Sequence, residues 1–262
     1  MSESVVLCEG YHDREFWAGW LEHLGLTDPG LRPGRTERVP IFDPWKKKVA
    51  GGQFGFLSPT DHFVRIVPCH GDIRRIKETA ARDWLDSAAK EQRQGAGESR
   101  LRRLVLSIDS DVNIDEPDIG KGFVLTDLCS WLWQFDRSAE LVEGGEVLLF
   151  GGAMAVSLVR WEAEDSMRGV PSKQTLERLV CAAIVAAYPE RAEPVHRWLE
   201  SRPNAPEAGP KEFAWSHMAG WYAEFGSATF YRKLWNEPAV AVQLQSRLEA
   251  CGVWQVAEEL AK

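Results

Sequence analysis

Three acidic side chains stand directly behind short apolar runs. Glu9 follows Val5 to Cys8, and Asp109 and Asp111 follow Leu104 to Ile108. An apolar run that breaks off at a carboxylate is the pattern of a buried strand delivering a charged group at its C-terminal end. In a parallel α/β sheet those ends line the ligand crevice, so carboxylates far apart in sequence are expected to converge there. Asp109 and Asp111, two residues apart in an extended stretch, are expected to project to the same side. Hard oxygen donors in a partly open set suit a magnesium ion that keeps several waters and also touches phosphate. Each signal alone is weak, since a D-x-D behind a strand is also a common loop cap.

The elements that must position these groups follow from the apolar spacing. Behind Glu9-Gly10, the residues Phe16, Trp17, Trp20, Leu21 and Leu24 recur at three and four, predicting a helix over 12–24 that Gly25 stops and whose first turn holds Asp13. Phe63 to Val67 reads as a second strand ending at Cys69, His70, Gly71 and Asp72. Ile73, Ile76, Ala80, Trp84 and Ala88 mark a second helix that fades into the polar stretch Glu91 to Arg100. After the third strand comes an acidic loop with Asp115, Glu116 and Asp118. A helix from about Lys121 to Phe135 and two strands, Val147 to Phe150 and Ala155 to Trp161, complete the series. Strand, helix, strand, helix, strand implies crossovers and a mainly parallel sheet flanked by helices, an α/β domain over 1–165. Residues 166–262 show helical periodicity only, in Leu176, Leu179, Val180, Ala183, Ile184 and Ala187 and again in later stretches, predicting an α-helical C-terminal region.

Residues 26–61, rich in Gly, Pro and basic side chains, read as a long irregular loop. Its Arg32, Arg35, Arg38, Lys46, Lys47 and Lys48 could guide a phosphate backbone, or form an ordinary charged loop. The whole chain of 262 residues carries 39 acidic and 31 basic side chains, a net of −8, which argues against coating nucleic acid by bulk charge. The imbalance is local: 101–150 holds ten Asp/Glu against four Lys/Arg, whereas 32–103 holds sixteen Lys/Arg against nine Asp/Glu. A cation site beside a polyanion path would need such a pairing. Five scattered cysteines without a C-x-x-C pair give neither a zinc ribbon nor a disulfide framework. With no secretory signal at the start and no run long enough to span a bilayer, the expectation is a reduced, cytoplasmic protein with no membrane partner. Eight of the twelve tryptophans lie from Trp131 onward and are expected in the helical core rather than on a base-stacking surface. His12 and His70 flank the strand ends and read more readily as structural than as metal ligands.

Taken together, Glu9-Gly10 with Asp13, a middle strand ending near Gly71, and the Asp109/Asp111 pair resemble the TOPRIM domain shared by topoisomerases, primases, ribosomal-RNA maturases and OLD-family nucleases. The resemblance covers roughly the first 165 residues and rests on the ordered pair of motifs. It implies that Glu9 acts as general acid or base on a phosphodiester, with Asp109 and Asp111 holding Mg²⁺, or Mn²⁺ in its place. Gly10 would permit the tight turn after Glu9, and Asp13 would orient the helix start or a metal ligand. Further along, Thr175 to Leu179 resembles the Leu-Glu segment of OLD-like proteins and Lys211 the basic residue beyond it. Glu177 would then support a second metal and Lys211 a leaving oxygen. A solvated helix carboxylate is the competing reading of Glu177, and Glu162, Glu164 and Asp165 compete for its role.

Absences narrow the family. No G-x-x-x-x-G-K-[ST] occurs, so an ATPase partner would have to act in trans. The chain is too short for topoisomerase strand passage, and its cysteines do not supply a primase zinc module. The resemblance therefore implies a small metal-dependent nuclease, a hydrolase of DNA or RNA. Primase-like or RNA-maturation chemistry and a non-catalytic partner-binding module remain alternatives, and a homo-oligomer stays open.

Overall fold

Strands form where apolar runs are flanked by polar breaks. The computed structural model describes residues 2–28, 52–94, 100–115, 122–201, 208–219 and 227–262. In chain order the elements begin β1 (Glu3–Cys8), α1 (Tyr11–His23), β2 (Phe54–Leu57) and β3 (Phe63–Pro68). Then come α2 (Ile73–Ala80), which runs through a π-helical turn at Ala81–Leu85 into α3 (Asp86–Arg93), and β4 (Leu101–Asp109). α4 (Leu125–Leu132), β5 (Glu140–Leu141), β6 (Glu146–Leu149) and β7 (Met154–Trp161) follow. The described elements after β7 are helices: α5 (Leu176–Ala187), α6 (Ala192–Glu200), α7 (Pro210–Ala219), α8 (Ser227–Lys233), α9 (Pro238–Ala250) and α10 (Trp254–Ala261). No helix among the described residues is long and apolar enough to cross a membrane.

The chain is an α/β fold with a seven-stranded mixed sheet in the order β2-β3-β1-β4-β7-β6-β5. Its parallel core is β3-β1-β4, with Val6 opposite Ile66 and Val105. β2 runs antiparallel to β3, and β6 runs antiparallel to both β5 and β7. Strand alternation divides the apolar side chains between two faces. Val5, Leu7, Leu104, Leu106 and Ile108 share a core with Ile76, Ala80 and Leu85 of the α2–α3 segment and with Leu128 and Leu132 of α4. On the opposite face of β4, the Trp17 Nε1–H of α1 donates to Ser107 Oγ at 3.0 Å. The face predicted for α1 is buried at Phe16, Trp17, Trp20 and Leu21.

Two expectations need correction. The irregular reading of 26–61 misses β2, whose Phe-Gly-Phe-Leu sequence is short and glycine-broken but pairs along the edge of β3. The tryptophans divide as well: Trp161, Trp235 and Trp254 are buried, while Trp133, Trp198 and Trp215 are exposed, Trp198 at 63%.

The residues group into two compact units that interleave along the chain. The first comprises 1–108, 123–159 and 256–262, and the second 109–122 and 160–255. In the second unit α5 is the central helix, packed against α7 and α9. Every residue from Leu176 to Val185 is buried, so the helix hides not one face but its whole circumference, Glu177 and Arg178 included. A buried guanidinium is tolerated only when its donors are satisfied. Arg178 Nε donates to the Ala163 carbonyl at 2.8 Å, and its two terminal nitrogens donate to the carbonyls of Pro171 and Asp165.

Candidate functional site

In the first unit, Glu9 lies directly beyond β1 and is half-buried. The loops behind β1 and β3 are tied together by main-chain bonds: Cys69 N–H donates to the Cys8 carbonyl at 2.8 Å and Gly71 N–H to the Glu9 carbonyl at 3.2 Å. Gly10 is the N-cap of α1, and its N–H donates to Asp13 Oδ2 at 3.2 Å, the carboxylate half of a capping box. Asp13 is buried at 8% exposure. Gly10 has φ −147° and ψ −170°, extended backbone open to any residue, so the bend at Glu9 and Gly10 does not draw on a left-handed glycine. The left-handed residue of this region is His70, at φ +57°, whose ring meets Tyr11 edge-on with centroids 4.6 Å apart. His12 is half-buried in the first turn of α1.

Arg14, one turn into α1, donates to the Gly52 carbonyl at 2.7 Å and lies over the rings of Phe54 and Tyr11. The thiols nearby are held in the neutral form. Burial pushes Cys8 well above its ordinary value and Cys69 up to about 11, so both stay protonated at neutral pH.

In the second unit, the segment carrying the aspartate pair lies along the approach to α5. Asp111 N–H donates to the Gln174 carbonyl at 2.9 Å, Gln174 N–H to Val112 at 2.8 Å, and Ile114 N–H to Ser172 at 3.1 Å. This short antiparallel pairing sets Asp109 on the helix start: Oδ1 accepts from the Leu176 N–H at 2.9 Å. A carboxylate there satisfies an otherwise unbonded amide and meets the positive end of the helix dipole. Thr175 caps the same end, its hydroxyl accepting from Arg178 N–H. Glu177 is the next residue after Leu176 and is 5% exposed, with Tyr231 O–H directed at Oε1 at 3.4 Å. The alternative of a solvated helix carboxylate therefore falls.

Asp111 departs from the expected geometry. The strand ends at Asp109, and Asp111 takes φ +59°, so the alternation that put both side chains on one side stops short of it. Its Oδ1 meets Lys173 Nζ at 2.7 Å, with both side chains about half exposed. Between the aspartates, Ser110 is buried and accepts from Arg160 Nη2 at 2.6 Å. Gly122, at φ +59°, passes so close that a Cβ there would stand 2.9 Å from the Ser110 carbonyl oxygen. Lys173, Arg160 and Gly122 went unrecognised in sequence. Only the glycine type hinted at a close approach.

Two of the competing carboxylates are ion-paired. Asp165 receives Arg247 in a two-pronged pair, Nε to Oδ2 at 2.9 Å and Nη2 to Oδ1 at 2.5 Å, and Glu162 pairs with Arg160 at 2.7 Å. Glu164 is exposed, as is Lys211 in the first turn of α7. Arg32, Arg35, Arg38, Lys46, Lys47 and Lys48 lie outside the described residues.

The donors fit a hard divalent ion by type, since Asp109, Asp111 and Glu177 all offer carboxylate oxygen. Their gathering does not fit it: among the described residues no three His, Cys, Asp or Glu side chains are grouped to hold a metal ion.

No family model matches the chain, and no curated protein matches it. Among solved structures it is similar to the crystal structure of a hypothetical protein, PH0156, from Pyrococcus horikoshii OT3, with a TM-score of 0.64 and 15% identity over 100% of each chain. At that identity the likeness is one of fold, and it extends along the whole length of both proteins.

Proposed function

We propose that the chain is a TOPRIM-type, magnesium-dependent nuclease acting on phosphodiester bonds of DNA or RNA. The observation that carries this reading is strand register. β1 and β4 are adjacent and parallel with Cys8 opposite Ser107, and the first carboxylates past those residues are Glu9 and Asp109. The capping of α5 by Asp109, one residue before the buried Glu177, adds support for the second motif. In this reading Glu9 would move the proton at the reacting oxygen, Asp109 and Asp111 would hold the ion, Glu177 would support a second one, Lys211 would neutralise a leaving oxygen, and the basic loop would meet phosphate. When bound, Mg²⁺ would supply positive charge against the phosphate.

Purified full-length protein with Mg²⁺ or Mn²⁺ is expected to nick supercoiled DNA or degrade single-stranded DNA or RNA. Glu9→Gln and Asp109→Asn should each abolish the activity while circular dichroism stays unchanged. Cleavage that survives both substitutions refutes the assignment.

The Lys173 ion pair on Asp111 favours a second reading, a TOPRIM-like module that binds a partner without turnover. Calorimetry with Mn²⁺ separates the two, because the module predicts no binding and the nuclease a titration that Asp109→Asn removes.

A further inference from the structure

The opposite end of the parallel strands, where β1, β3 and β4 begin, has a chemistry of its own. A cavity of about 360 Å³ opens there, with Ser2, Ser4, His62, Arg102, Arg103 and Lys262 in its wall. His62 is 9% exposed and holds a serine on each side of its ring, Nδ1 with Ser2 Oγ at 2.6 Å and Nε2 with Ser4 Oγ at 2.8 Å. A neutral imidazole has one donor and one acceptor, so the serine that accepts from the ring keeps its own proton to give. Burial, reinforced by the positive fields of Arg103 and Arg102, holds the imidazole below its usual range and therefore neutral.

Arg103 and Lys262 in the wall are themselves ion-paired. Glu259 is the carboxylate there, and it faces Arg103 at 3.7 Å and the Lys262 ammonium. Arg103 is further anchored by Glu146 and by Ser157 Oγ at 3.3 Å. Two guanidiniums and an ammonium thus stand around hydroxyls that can donate. Guanidinium, ammonium and hydroxyl donors converging on one recess are the complement of a phosphate group. The volume lies in the range of small-ligand sites and exceeds what inorganic phosphate fills.

We propose that this cavity binds a phosphomonoester, a small molecule whose phosphate meets Arg102, Lys262 and a serine hydroxyl while its remainder fills the recess. The site goes beyond the nuclease reading and does not depend on it, because it uses neither Glu9 nor the aspartates.

The test is a titration of the full chain with adenosine monophosphate and, separately, inorganic phosphate, followed by calorimetry and by the His62 ring resonances. Adenosine monophosphate is expected to shift those resonances saturably and to bind more tightly than phosphate. Arg102→Ala, at an exposed position, is expected to weaken it about tenfold, as loss of a charged hydrogen bond does, with Arg102→Lys restoring part. Unmoved His62 signals, equal affinity for phosphate, or wild-type affinity in Arg102→Ala would each overturn the proposal. Asp109→Asn keeps the tests apart, since it should leave this binding intact even where it abolishes cleavage.

Discussion

His217 gives the fold a measurable sensitivity to acid. It lies fully buried on α7, with Nε2 2.9 Å from the Gly169 carbonyl and Nδ1 buried without a hydrogen-bond partner. Nε2 therefore carries the proton and Nδ1 the lone pair. A second proton would have to be buried on Nδ1 near the positive charge of Arg191, whose Nη2 donates to the His217 carbonyl at 2.5 Å. Burial first and Arg191 second lower the pKa to about 4, against the opposing pull of the Gly169 carbonyl.

As pH falls, the unfolded chain takes up this proton near 6.5 and the folded chain only near 4, so stability is fully present above 6.5 and drains away as pH drops toward 4. At about 1.36 kcal/mol per unit the whole span is worth roughly 3 kcal/mol, of which about 2 kcal/mol is lost between pH 7 and pH 5. Urea unfolding of the wild type and of His217→Gln, which keeps an N–H for Gly169 and cannot titrate, isolates this contribution. The wild type should lose about 2 kcal/mol more than the variant between pH 7 and pH 5. Parallel pH profiles would refute the reasoning.

Two further substitutions test packing. Glu3 and Arg65 form a buried pair at 2.7 Å between β1 and β3, so Glu3→Leu, which removes the counter-ion, is expected to cost about 3 kcal/mol in urea denaturation. The double variant Glu3→Leu with Arg65→Met should return close to wild type. Gly122→Ala forces a left-handed alanine whose Cβ meets the Ser110 carbonyl, and should cost on the order of 2 kcal/mol by the same assay.

The parallel core and α1 were legible because they bury what they are made of: Val5 to Cys8 and Leu104 to Ile108 admit no exposed face. β2 and the two-residue β5 were not, since neither has enough apolar residues to show a period and both depend on a neighbouring strand for their form. At the candidate site the positions of Glu9 and Asp109 followed from strand ends. The orientation of Asp111 did not follow, because a left-handed aspartate leaves no trace in apolar spacing. Nor did the Lys173 pair, whose partners lie 62 positions apart in the chain and meet only through the backbone pairing of two loops. Glu177 read equally as a metal-supporting and as a solvated helix carboxylate. It is buried because α5 is enclosed on every side.

The interleaving of the two units has a consequence for synthesis. The first unit takes residues 256–262, yet its β1 and α1 are the first elements made. Its early strands must therefore wait through the translation of β4, β7 and the entire second unit before the segment that completes it emerges. Until then α10 is missing, and its Ala257 and Leu260, both fully buried in the folded chain, join last. The same chain order means that a fragment ending near residue 165 corresponds to neither compact unit.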